Sequence, residues 1–117
     1  MLPKVLIIED EESILNMYKF KLEKEWFEVF WAKNWEHIMD IVNETKPEII
    51  LIDIMMPVVN GFQALEIINT NISYPAKKII FSNLSRPGDF EKAKLLWADD
   101  YYIKSNLMPK ELVSRCV

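Results

Sequence analysis

Five short apolar runs, rich in branched residues and separated by segments of helical period, constrain this chain more than any other feature. The runs are "KVLIIED" (4–10), "FEVFWA" (27–32), "EIILID" (48–53), "KKIIFS" (77–82) and "DYYIK" (100–104). Three of them are apolar on both faces, which is what a parallel sheet covered on each side demands. Between them lie four helical stripes: Ile14, Tyr18 and Leu22; Ile38, Ile41 and Val42; Phe62, Leu65 and Ile68; and Phe90, Ala93, Leu96 and Trp97. A last amphipathic piece, "PKELVSRCV", starts at Pro109, a residue suited to a first helical turn. Strand and helix thus alternate five times, the pattern of a doubly wound α/β sheet with right-handed crossovers.

At 117 residues the chain affords one core and no second one. Half of its residues are hydrophobic and about a quarter charged, the profile of a folded globular protein. A net charge of -4 with no cluster of Lys and Arg argues against a nucleic-acid surface, since Lys19, Lys21 and Lys24 alternate with Glu23 and Glu25. Cys116 is the only cysteine, which excludes an internal disulfide and fits a reducing compartment. No apolar run reaches the ~20 residues needed to span a bilayer, and no signal-peptide layout opens the chain, so a cytoplasmic protein that binds no membrane is expected.

In doubly wound sheets, ligands sit outside the carboxyl ends of the strands. The polar residues closing these strands are Glu9 and Asp10 on the first, Asp53 on the third, Ser82 on the fourth and Lys104 on the fifth. Singly, each has an ordinary role: Asp and Ser cap helices, acidic runs such as "EDEE" favour a first helical turn, and a lysine stem lies along a sheet edge. Together they make a chemical unit. Crowded carboxylates favour a cation, and Mg²⁺ takes hard oxygen ligands while sharing its remaining positions with a phosphate. A carboxylate can then act as nucleophile and form an aspartyl-phosphate, with a lysine and a hydroxyl holding the other phosphoryl oxygens.

With "LIIEDEE", "DIMMPVVNG", "IIFSNLS" and "ADDYYIKS" in this order and spacing, the chain resembles the receiver domains of two-component response regulators over essentially its whole length, 1–117. The resemblance implies a flavodoxin-like (βα)5 fold, a five-stranded parallel sheet of order 2-1-3-4-5 with helices on both faces. It implies Asp53 as the phosphoacceptor and Mg²⁺ as the cofactor. Asp10 and Asp53 would bind the ion directly, Glu9 through water and Met55 through its backbone carbonyl. Ser82 and Lys104 would contact the phosphoryl group, and Ser82 with Tyr101 would form the switch. Pro57 and Gly61 match the family's loop after the acceptor.

The implied function is a phosphorylation-controlled switch rather than a turnover enzyme, catalysing only its own phosphoryl transfer and slow dephosphorylation. Its partners would be a histidine kinase or phosphotransfer protein upstream, because His37 is the only histidine and lies in the second helical segment. Downstream, a protein or a second copy would bind the face of fourth helix, fifth strand and fifth helix. Met55 and Leu84 stand where the family flanks the attacking water, and neither has a group suited to orienting one, so a long-lived phosphoform is expected. No output domain is expected within the chain.

Three residues depart from the family pattern. Ser105 follows Lys104 in place of a proline, so a cis bond there would cost ~2.5–4 kcal/mol. Trp97 replaces the glycine that closes the fourth helix, and Asn83 stands where a small residue is common. These departures favour a rival reading, a pseudo-receiver that binds partners without being phosphorylated. A phosphohydrolase with an aspartate nucleophile ranks third, since the acid such enzymes commonly carry two residues on is here Met55.

Overall fold

The computed structural model describes residues 2–33, 37–53, 61–82, 88–96 and 98–103. Nine elements alternate along them: β1 (Lys4–Ile8), α1 (Glu12–Lys24), β2 (Glu28–Ala32), α2 (Ile38–Thr45), β3 (Ile49–Asp53), α3 (Gly61–Asn71), β4 (Lys77–Ser82), α4 (Asp89–Leu95) and β5 (Asp100–Ile103). The strands form one sheet of order β2-β1-β3-β4-β5, and every pair is parallel. This is the expected doubly wound arrangement. The expected fifth helix, from Pro109, lies outside the described residues. No helix among the described residues is long and apolar enough to cross a membrane.

The sheet divides the core in two because strand side chains alternate. Leu6, Ile8, Ile50, Ile52 and Ile80 point to the face covered by α2 and α3, where Ile38, Val42, Phe62, Leu65 and Ile68 meet them. Val5, Ile7, Ile49, Leu51, Ile79 and Phe81 point to the other face, under Leu15, Tyr18 and Leu22 of α1. The central strands are therefore buried on both sides, which is why their sequences read as unbroken apolar runs. Tyr18 sets its ring edge-on to Phe81, at 5.5 Å between centroids and 84° between planes. Burial, aided by the nearby Glu9 carboxylate, raises the pKa of the Tyr18 hydroxyl above the ordinary phenol value.

Three strand boundaries differ from the sequence expectation, the least of them at β3, which begins at Ile49 rather than Glu48. β1 stops at Ile8, so Glu9 and Asp10 belong to the turn that follows it. Phe27, expected in the second strand, instead closes α1. Its N–H donates to the Leu22 carbonyl and the N–H of Trp26 to that of Glu23, the paired bonds of a Schellman motif, with buried Leu22 and Phe27 at its apolar ends. The left-handed position of that motif, normally a glycine, is Trp26 at φ 69°. Lys46 ends α2 in the same region of backbone space, at φ 50°, just before Pro47.

Two consequences for stability can be measured. Left-handed backbone costs a bulky residue ~1–2 kcal/mol, while glycine loses only ~0.5–1 kcal/mol more entropy on folding. Trp26→Gly should therefore raise the stability of the monomer by about 0.5–1 kcal/mol in urea titrations at low protein concentration. Because the folded pKa of Tyr18 is raised, its contribution is fully present below the unfolded value and is lost as pH rises through the folded one. Tyr18→Phe should accordingly flatten the alkaline fall of the melting temperature relative to wild type.

Candidate functional site

The strand order reverses between β1 and β3, and the crevice at their carboxyl ends is where an open α/β sheet holds its ligand. Register assembles the acids there. Ile8 pairs with Ile52, so the next residues, Glu9 and Asp53, leave the sheet side by side. Glu9 is held at this level by donating its backbone N–H to the Ala32 carbonyl, at 3.1 Å, beyond the last paired residue of β1. Asp53 closes β3 with its backbone in register with Phe81 of β4.

The carboxylate oxygens of Glu9, Asp10 and Asp53 lie within 4.8 Å of one another. Glu9 and Asp53 are 0% and 2% exposed, whereas Asp10 is exposed. The orientation of Glu9 is set from α1: the Glu11 N–H donates to Glu9 Oε1 at 3.1 Å. That backbone donor has no side-chain signature, and sequence reading does not find it. The start of α1 also turns its unsatisfied N–H groups toward this end of the sheet, which favours negative charge in the neighbourhood.

Three hard oxygen donors, two of them buried, with no sulfur or imidazole beside them among the described residues, are the donor set of a Mg²⁺-type ion rather than of zinc. The residues present thus fit the cation expected from the sequence. A second feature of the set is its asymmetry. Asp10 faces solvent, whereas Asp53 is buried.

Of the remaining expected site residues, Ser82 is the last residue of β4, one beyond the partner of Asp53, and its backbone is in register with Ile103 of β5. Ile103 is the chain neighbour of Lys104. Tyr101 is half-buried, in register with Ile80 and packed against the α2 and α3 side of the core. Lys104, Met55 and Leu84 lie outside the described residues, as do Asn83, Trp97 and Ser105. His37 is exposed immediately before α2.

Comparison with known proteins places the chain in a family. The model of the response regulator receiver domain matches residues 5–116. Among solved structures, a DNA-binding response regulator of the LuxR family from Staphylococcus aureus is 29% identical with a TM-score of 0.86, over 97% of this chain and 94% of that one. The receiver domain of Francisella response regulator 1452 is likewise 29% identical with a TM-score of 0.86, over 97% of this chain and 93% of that one. The chemotaxis protein CheY4 of Vibrio cholerae shares the fold at a TM-score of 0.90 and 21% identity, over the whole of both chains. A parallel sheet of this order, three acids gathered at its switch point and a family match from the first strand almost to the last residue agree: the chain belongs to the response regulator receiver domains of two-component signalling.

Proposed function

We propose that this domain is a phosphorylation-controlled switch whose acceptor is Asp53, and that a histidine kinase or phosphotransfer protein is its donor. The observation that carries this reading is the gathering of Glu9, Asp10 and Asp53 within 4.8 Å at the carboxyl edge of the sheet. Asp10 and Asp53 would hold Mg²⁺ directly, with Glu9 acting through water and Met55 through its backbone carbonyl. The ion would supply charge neutralisation between the carboxylates and the incoming phosphoryl oxygens. A carboxylate oxygen of Asp53 attacks phosphorus, the P–N bond of the donor phosphohistidine breaks, and its electron pair returns to the imidazole nitrogen. The product is an acyl phosphate on Asp53. Lys104 pairs with a phosphoryl oxygen, and the Ser82 hydroxyl donates to another.

The chemistry stops there, because Asp53 is both catalyst and substrate and no separate product turns over. Hydrolysis needs an oriented water, and Met55 and Leu84 bring no hydrogen-bonding side chain to orient one, so the phosphoform is long-lived. Signal leaves through Ser82 and Tyr101, which lie on the adjacent strands β4 and β5. The rival pseudo-receiver reading rests on Ser105, Trp97 and Asn83, none of which removes an acid of the site. Here all three are present and two are buried, a cost that a mere docking module has no reason to bear.

Incubation with acetyl phosphate and Mg²⁺ should add one phosphoryl group by intact-mass spectrometry, and Asp53→Asn should remove that addition. An unmodified wild type, under conditions that modify another receiver, would overturn the reading; following the mass after donor removal times the loss of phosphate. Metal binding gives an independent check, since a ligand of the native state alone stabilises it. Mg²⁺ at tenfold its Kd should contribute about 1.4 kcal/mol, or roughly 4–6 °C for a domain of this size. Asp10→Asn should shift the titration to higher Mg²⁺ while leaving the metal-free protein as stable as wild type or more so.

A further inference from the structure

The edge of the sheet at β2 is open to pairing. β2 is the outermost strand on its side and has β1 as its neighbour. Bonds from the Glu28 N–H to the Pro3 carbonyl and from the Glu9 N–H to the Ala32 carbonyl set the phase of its ladder. Alternate residues of a parallel strand face its neighbour, so Glu28, Phe30 and Ala32 bond to β1, while Val29 and Trp31 turn their N–H and C=O groups outward. Folded proteins commonly blunt such an edge with proline, lysine or a bulge. The β2 sequence EVFWA has no proline or lysine, and its register with β1 runs without a skip from Glu28 to Ala32.

Beside this edge, against α2, lies a hollow of ≈ 270 Å³ lined by Phe30, Trp31, Ile41, Glu44 and Thr45. The Thr45 hydroxyl already donates to the Ile41 carbonyl at 2.7 Å, which leaves Glu44 as the charged group of an otherwise apolar wall. Glu44 also lines a second hollow, with Asp40 and Asn43. Asp40 and Glu44 stand one turn apart on α2, a like-charge pair that weakens a helix, and α2 carries no lysine or arginine to offset it. The lysines around β2 are engaged: Lys4 donates to the Thr45 carbonyl at 3.1 Å, Lys19 lies 4.1 Å from the centroid of the Trp31 ring and Lys33 pairs with Glu12 at 3.5 Å. Lys46 stands past the end of α2.

Charge selects the occupant. A phosphate-bearing surface, whether nucleic acid or anionic membrane, would meet the two carboxylates of α2. A second copy pairing its own β2 antiparallel would bring both α2 helices to the same side of the joined sheet, with Asp40 and Glu44 of each toward those of the other. A cationic segment meets neither obstacle: an arginine stem can cover Phe30 and Ile41 while its guanidinium pairs with Glu44. We propose that the β2 edge docks an extended, arginine-bearing segment of a partner protein as an antiparallel sixth strand, with the arginine opposite Phe30 and entering the hollow against α2. The residues flanking that arginine would exchange backbone hydrogen bonds with Val29 and Trp31. This edge is the one opposite β5, and the inference stands whether or not Asp53 is phosphorylated.

A synthetic peptide, acetyl-TVRVT-amide, tests it against the ¹⁵N-labelled chain. As the peptide is raised into the millimolar range, the amide signals of Val29, Trp31 and the Ile41 to Thr45 turn should shift together and saturably, and hydrogen exchange at the Trp31 amide should slow. Acetyl-TVEVT-amide should bind at least about tenfold more weakly, as should TVRVT to Glu44→Lys, because each sets like charges together. Methylating both valine nitrogens of the peptide removes the donors that face the edge and should abolish binding. Trp31→Pro removes the outward N–H without touching the β1 ladder, and it should likewise abolish binding while leaving the far-ultraviolet circular dichroism unchanged. Absence of shifts with TVRVT overturns the proposal. Equal binding of TVEVT overturns it too, and so does undiminished binding of the methylated peptide, which would mean that arginine enters the hollow without a strand being added.

Discussion

The structure turns on placing carboxylates where an apolar sheet ends. Glu9 and Asp53 are both buried, and two ionised carboxylates within 4.8 Å of each other repel by roughly 3–4 kcal/mol at an effective dielectric of ~20. Nothing local compels a chain to accept this, and the rest of the domain supplies the stability that allows it. Val5 to Ile8 and Ile49 to Ile52 are buried on both faces of the sheet, and their parallel register leaves the two acids no freedom to separate. The Glu11 N–H then grips Glu9, so that even its rotamer is constrained. A site preorganised in this way needs little rearrangement to receive a cation, because the cost of bringing the ligands together has been met by folding.

Such a sheet also explains which parts of the protein were legible in its sequence. Double-sided burial writes long apolar runs, and helices covering the sheet write stripes of helical period. The strand order and the convergence of Glu9, Asp10 and Asp53 followed from family resemblance, but their physical basis is visible in the interruption of "IILIDIMM" by one acid. Boundaries were less legible. Phe27 looks like a strand residue because it is aromatic and precedes "EVFWA", yet its N–H is taken by a helix-closing bond to Leu22. Composition cannot reveal that bond, since the position ahead of it carries Trp26 rather than the glycine that would have announced a left-handed cap. The hold of Glu11 on Glu9 was equally hidden, because a backbone donor is the same in every residue but proline.

Tyr18 ties the α1 side of the core to the site. Its stripe position identifies it as a core residue, and its ring does fill the core, edge-on to Phe81. A leucine would satisfy the apolar requirement there. The phenol instead sets a polar tip whose ionisation burial, and then the Glu9 carboxylate, disfavours. Phe81 in turn is the strand partner of Asp53 and the residue before Ser82. One aromatic pair thus joins the packing of α1 to the end of the sheet that carries Asp53.

On the opposite face, α4 is attached by different means. It spans only seven residues, and where the family closes this helix with glycine the chain has Trp97. The carbonyl of Leu96 is nonetheless satisfied, by the side-chain amide of Asn69 reaching across from α3. Near its middle, Lys92 places its ammonium over the ring of Phe62, 4.8 Å from the centroid. The Asn69 amide oxygen is buried with no hydrogen-bond partner among the described residues. Polar attachments of this kind are directional, and they are lost over a small displacement, whereas the apolar contacts of α3 with β3 tolerate sliding. Among the described residues, α4 and the residue after it are joined to α3 by this hydrogen bond and this cation over a ring, with Leu96 against the core, and the two polar contacts are the ones a small displacement would break. Under the proposed function, a charge added at Asp53 would reach α4 through contacts of this directional kind while the strands that position the acids stay fixed.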